Sequence, residues 1–301
     1  MKEADLLRAV QNYRIAIRPK FSVLTGALGQ WESPYPGKGF DFFSARDFVP
    51  GDDLRRLHLP TSQRRGVPTV VERIELRDVT MMLYVDCSAS MRLRNKHISA
   101  LRAASLLTFG AFKLESSFGF GTLNDHAPIM RPRTGEEQFF LVWKALHAKL
   151  SRDSSGHDRE RAVLFRPFIE HLVDNIPLRS VVFLISDFLG ASMPQGVDEK
   201  VLRAISQRYD IIPIIVQDKM EYDFPVFSHS VCYPFQDVET GDEAEVWVSP
   251  ADQRRIAWVH QQRLEGIRQM FRRTGMPSIH PVSWELPDLF KQFEQFFAQR
   301  R

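Results

Sequence analysis

Two short, wholly apolar runs, MMLYV at 81–85 and VVFLI at 181–185, each lead into an aspartate, Asp86 directly and Asp187 after one serine. Runs of this length suit strands covered on both faces and fall far short of a bilayer span. After the first run, Ile98, Leu101, Ala104, Leu107 and Ala111 recur at the spacing a crossover helix requires. From residue 78 onward, strands are expected at 79–85, 117–123, 180–185, 211–216 and 278–282. Further helices are expected at 136–149, 159–175, 200–208, 251–274 and 287–300. Strands alternating with helices predict a doubly wound α/β fold with a mostly parallel sheet, whose ligands lie at the carboxyl ends of the strands.

The preceding segment has a different texture. Residues 1–20 read as a short amphipathic helix, with Leu6, Leu7 and Val10 on one side. Between 21 and 77, Gly26, Gly29, Pro34, Pro36, Gly37, Gly39, Pro50, Gly51, Pro60, Gly66 and Pro68 punctuate short stretches rich in aromatics and valine, predicting a small β-rich module. The expected division is therefore 1–77 for the helix and β-rich module and 78–301 for the α/β domain. A chain of 301 residues is long enough to bury a core of that size.

Composition narrows the function classes. Forty Lys plus Arg against 37 Asp plus Glu gives +3, too little for a nucleic-acid footprint, and no stacking aromatics interleave the basic pairs. Cys87 and Cys232 are the only cysteines and form no disulfide or metal pattern, which suits a reducing compartment. The N-terminus lacks the apolar block of a signal peptide, so a cytoplasmic protein is expected.

The chemistry-bearing segment is Asp86-Cys87-Ser88-Ala89-Ser90, on the turn from the first buried strand into its helix. One carboxylate and two hydroxyls there can present three oxygens to a hard divalent cation, Mg²⁺ or Mn²⁺, that keeps several waters. The plain alternative is a serine cap on the helix, with Asp86 accepting backbone hydrogen bonds. Asp187 ends a second buried strand and can complete the site directly or through water; its plain alternative is a turn or helix cap.

Catalytic readings are weaker. A phosphatase using Asp86 as nucleophile wants an acid two residues on, and Ser88 stands there. A cation-dependent hydrolase at Asp86 stays as the alternative function. No G-x-S-x-G elbow is present. Gly119 and Gly121 fall inside a predicted strand instead of opening a helix, so close strand–helix packing explains them better than dinucleotide binding.

The run 79–91, Ile185-Ser186-Asp187-Phe188 and the strand–helix alternation resemble the von Willebrand factor A fold with its metal-ion-dependent adhesion site. More closely, the chain resembles the bacterial family called domain of unknown function fifty-eight, through Gly37-Lys38-Gly39-Phe40-Asp41-Phe42, the stretch from Arg46 to Arg55, and Glu239-Thr240-Gly241-Asp242. That resemblance implies a non-catalytic adaptor working with a MoxR-type AAA+ ATPase in maturing or remodelling a client complex. A metal ligated by Asp86, Ser88 and Ser90 would bridge to the partner's carboxylate.

Three departures stand out. His157 occupies the place where the fold usually supplies a threonine ligand, so that either the metal preference moves toward imidazole-friendly ions or the site is weakened; the plain alternative for His157 is an exposed loop residue. Leu57-His58-Leu59 replaces an acidic residue followed by tryptophan, and a soluble version without the N-terminal membrane span of many relatives is expected. Arg46, Asp52 and Arg55 are expected to brace turns of the β-rich module instead of binding a ligand.

Overall fold

The computed structural model describes residues 3–15, 17, 19–20, 36–37, 41–49, 59–74, 79–123, 129–150, 165–188, 199–236 and 243–300. Helix α1 (Glu3–Val10) precedes strands β1 (Pro36–Gly37) and β2 (Asp41–Asp47), helix α2 (Leu59–Arg65) and strand β3 (Thr69–Ile74). Then come β4 (Met81–Val85), α3 (Ala89–Arg92), a 3₁₀ turn (Leu93–Asn95), α4 (Lys96–Lys113), β5 (Phe118–Thr122), β6 (Met130–Arg133), α5 (Glu136–Leu150) and α6 (Phe165–Asn175). The chain continues through β7 (Val181–Ser186), α7 (Glu199–Arg208), β8 (Asp210–Ile215), α8 (Lys219–Tyr222), β9 (Val231–Gln236), β10 (Glu243–Val248), α9 (Pro250–Arg273) and α10 (Leu286–Gln299).

The central sheet has the order β6-β5-β4-β7-β8. All its pairs are parallel except β5 with β6, the antiparallel edge. Alternation along each buried strand sends side chains to two cores. Met81, Leu83 and Val85, with Val181, Phe183 and Ile185, face the layer formed by α1, α4, α5 and α10. Met82, Tyr84, Val182 and Leu184 face α6, α7 and α9. Every residue of β4, β5, β7 and β8 is buried, which is why those segments read as continuous apolar runs.

This is the mixed α/β architecture expected, with helices on both faces of a mostly parallel sheet. Helix α1 is shorter than the predicted 1–20 segment, and it lays Leu6 and Val10 into the first core. Upstream of β4, β1-β3-β2 form a separate three-stranded antiparallel sheet with an irregularity between Phe42 and Ser44. Asp52 and Arg55, and hence the expected bracing of Arg46, lie outside the described residues, as do 57–58, 156–163 and 239–242.

Two expectations need correction. The strand predicted at 278–282 is only a single parallel bridge from Ile279 to Ile214, because Pro277 and Pro281 bracket it and remove the donors a longer ladder needs. Gly119 and Gly121 are indeed within a strand, but strand neighbours and not a helix crowd them. A Cβ on Gly119 would lie 2.4 Å from the Met130 carbonyl oxygen and 2.6 Å from Met82 Sδ; one on Gly121 would meet the Tyr84 ring at 3.0 Å. The antiparallel β9–β10 ribbon was not anticipated. Among the described residues, no helix is long and apolar enough to cross a membrane, and neither cysteine forms a disulfide.

Candidate functional site at the ends of two strands

The sheet reverses direction at β4: the chain first adds β5 on one side and later β7 on the other. Helices α4 and α7, which follow β4 and β7, lie on opposite faces of the sheet, the arrangement at which doubly wound sheets open a crevice at the carboxyl ends of their strands. Met81 to Val85 pair in register with Val181 to Ile185, so Asp86 and Asp187 leave adjacent strands at nearly the same height. The Asp86 N–H donates to the Ile185 carbonyl at 2.8 Å, extending that ladder to the site itself.

Asp86 is fully buried and its carboxylate is held on both oxygens. Oδ1 accepts the Ser88 N–H at 2.8 Å, and Oδ2 accepts the Ser186 hydroxyl at 2.5 Å. Burial pushes its pKa up, the charge of Asp187 pushes it further, and the Ser186 and Ser88 hydrogen bonds oppose both. Among the described residues, no cationic side chain pairs with Asp86. Ser88 stands at the N-cap of α3, yet its side chain makes no cap hydrogen bond; its Oγ lies 3.0 Å from Ser90 Oγ, and both serines are half-buried. The backbone bond to Asp86 thus follows the plain reading, and the serine cap does not.

Asp187 has a different partner. Its Oδ2 accepts from Lys96 Nζ at 2.7 Å, and the same ammonium donates to Glu221 Oε1 at 2.7 Å. Lys96 is 2% exposed, Asp187 0% and Glu221 19%, so this is an ion triad inside the protein. Glu221 is positioned by a capping box on α8: its Oε2 accepts the Asp218 N–H, and Asp218 Oδ1 accepts the Met220 N–H. Lys96 opens α4 just after a left-handed pair, Arg94 (φ 51°) and Asn95 (φ 62°). Phe188 is also left-handed (φ 51°); its N–H donates to Ser186 Oγ at 2.9 Å, while its buried ring meets Phe271 edge-on at 4.9 Å. Side-chain burial and that hydrogen bond hold a conformation an aromatic residue otherwise avoids.

Asp86, Ser88, Ser90 and Asp187 are therefore brought to one end of the sheet, and His157 lies outside the described residues. Sequence reasoning missed Ser186, Lys96 and Glu221. Lys96 carried a signal, since it falls on the same helical stripe as Ala100, Ala104, Leu107 and Ala111, where an unpaired lysine is rarely buried. The D-x-x-E of Asp218 and Glu221 was a second one.

The donor set can be weighed against a hard cation. Ligands adjacent on an octahedron of about 2.1 Å radius are separated by about 3 Å, the spacing of the two serine oxygens. Each Asp86 oxygen retains a lone pair beyond the hydrogen bond it accepts. The residues present fit such an ion, although no group of three or more His, Cys, Asp or Glu suited to a metal occurs among the described residues.

The family model described as "Protein of unknown function DUF58" matches residues 44–265. The chain belongs to the DUF58 family. Relatives of this DUF58 chain include the uncharacterized proteins Mb1516 of Mycobacterium bovis and Rv1480 of Mycobacterium tuberculosis, each 28% identical over 271 residues, spanning 86% of this chain and 80% of the relative. Similar solved structures include the conserved hypothetical protein BatB from Bacteroides thetaiotaomicron, with 13% identity, a TM-score of 0.43 and coverage of 74% of this chain and 98% of that one. Another is a von Willebrand factor type A protein from Catenulispora acidiphila, with 11% identity, a TM-score of 0.39 and coverage of 77% and 44%.

Proposed function

We propose that this protein is a non-catalytic adaptor in which a divalent cation, Mg²⁺ or Mn²⁺, held by Asp86, Ser88 and Ser90, bridges to a carboxylate of a protein partner. The observation carrying this reading is the buried Asp86 carboxylate, fixed by two hydrogen bonds, without a cationic partner among the described residues, and beside two half-buried hydroxyls. A bound cation would relieve the cost of burying that charge and leave positions for an outside ligand. The partner class is a MoxR-type AAA+ ATPase or its client, and His157 is the candidate additional ligand. The cation-dependent hydrolase lacks an acid two residues after Asp86, where Ser88 stands.

The test is co-purification with a co-expressed MoxR-type ATPase, in Mg²⁺ or Mn²⁺ and in chelator, for wild type and Asp86→Ala. Recovery should be lost in chelator and in the variant while the circular-dichroism spectrum is kept. Equal recovery in all arms would sink the bridging mechanism, and turnover on a phosphatase or esterase panel would sink the non-catalytic reading.

A further inference from the structure

Inside a protein, a lysine without charge partners is costly, and one shared between two carboxylates is a strong local constraint. Lys96 joins three parts of the fold: the first turn of α4, the end of β7 through Asp187, and the α8 capping box through Glu221. Asp187 is the second acidic strand end beside Asp86, and its charge already acts on the Asp86 carboxylate. Lys96, the one buried lysine or arginine among the described residues, is thus bound to Asp187 and not to Asp86.

We propose that the Lys96 ammonium serves as a built-in cation that holds Asp187 away from direct ligation and so sets the divalent affinity of the strand-end site. This rests on the cation reading of Asp86 given above and adds a positioning residue to it. Counting Asp86, Asp187 and Glu221 as ionised against Lys96, the cluster has a net charge of −2, which attracts a divalent ion. Direct ligation, however, falls to one carboxylate and two hydroxyls. Calcium and magnesium sites lose affinity steeply as charged ligands are withdrawn. A low intrinsic affinity makes the partner's carboxylate a needed ligand, so the ion would be held firmly only in the complex. Glu221 has a definite part: by sharing the ammonium it fixes where the lysine sits, and its own orientation comes from the Asp218 N–H.

The experiment is calorimetric titration of metal-stripped full-length protein with Mn²⁺ and Mg²⁺, with melting followed in parallel. Three proteins are compared: wild type, Lys96→Gln, and Lys96→Gln combined with Glu221→Gln. The double variant removes one positive and one negative charge, keeping the cluster at −2 while releasing Asp187, so it separates release of the ligand from a change in charge. It also avoids leaving two buried carboxylates facing a neutral side chain, and is read alone if the single variant does not fold. Affinity should rise by about tenfold or more in the double variant, with a Mn²⁺-dependent rise in melting temperature larger than that of wild type. A purely structural Lys96 would change melting without moving the dissociation constant. Folded double variant with unchanged or weaker affinity overturns the proposal while leaving a binding wild type's cation reading intact. Binding by the variant but not by isolated wild type upholds it, the native site then being one that needs the partner's carboxylate to hold the ion. Binding by neither overturns both.

Discussion

The hydroxyl of Ser186 donates to Asp86 Oδ2 across neighbouring strands at 2.5 Å, and the same Ser186 oxygen accepts the N–H of Phe188. One side chain thus fixes the buried carboxylate and the left-handed turn that follows Asp187. Ser186→Ala should cost about 1–3 kcal/mol in urea unfolding, because a buried carboxylate and a buried N–H each lose a partner. Ser88→Ala should cost far less, since its hydroxyl is half-buried and forms no helix cap, while weakening any divalent binding measured by calorimetry. Equal costs for the two variants would contradict this division of labour.

Gly119 is held between β4 and β6 so closely that no side chain fits without backbone movement, the nearest atoms being the Met130 carbonyl oxygen and Met82 Sδ. Gly119→Ala should destabilise by roughly 1–3 kcal/mol or more, by forcing the edge strand outward. Gly135, with open space around it but a φ of +97°, should also lose stability on conversion to alanine, through backbone strain and not through a clash. Crystal structures of both variants would show displacement of β6 in the first and little in the second.

His280 accepts a hydrogen bond from the Arg268 guanidinium on Nδ1 at 2.9 Å. Burial, reinforced by the Arg268 charge, lowers its pKa from 6.5 to about 4. The unfolded chain takes up a proton there more readily, so stability from this group is present above pH 6.5. It is lost as pH falls from 6.5 toward 4, by at most roughly 3 kcal/mol. Unfolding of wild type and His280→Gln across that range should show a steeper acid loss in wild type, and NMR titration of His280 should place its midpoint well below that of a free histidine.

His157 supplies a test of metal choice. If its imidazole joins the site, Mn²⁺ or Zn²⁺ should bind better than Mg²⁺, and affinity should fall as pH drops through the histidine range. His157→Thr should remove that pH response and move the preference toward Mg²⁺. The same metal ranking and pH response in both proteins would assign His157 to the surface.

Much of this fold could be read from local pattern, because burial on both faces leaves a continuous apolar signature in β4 and β7 that survives without any knowledge of pairing. The position of Asp86 and Asp187 at strand ends followed from the same signature. Their specific partners did not: Lys96 and Asp187 are 91 residues apart, and Ser186 and Asp86 are 100 apart, distances bridged by strand order and not by spacing. The β9 segment, Val231–Gln236, escaped because Pro234 breaks its strand character; in a two-stranded ribbon, Pro234 can point its donor-less side away from the ladder. At 278–282 the error ran the other way, where an apolar residue between two prolines earned one bridge only.

The register that places Met81 opposite Val181 also bears on how the chain reaches this structure. Pairing β4 with β7 closes a loop of about 100 residues, an entropic cost of about 4 kcal/mol by chain statistics before any contact repays it. Such long-range parallel pairing is slow relative to local helix formation. During synthesis, Asp86 leaves the ribosome a hundred residues ahead of Ser186, and its native hydrogen-bond partner does not yet exist. Formation of the Asp86–Ser186 bond therefore marks the moment the sheet has been threaded across its centre, and a probe at this strand end would report long-range assembly of the sheet instead of a local event.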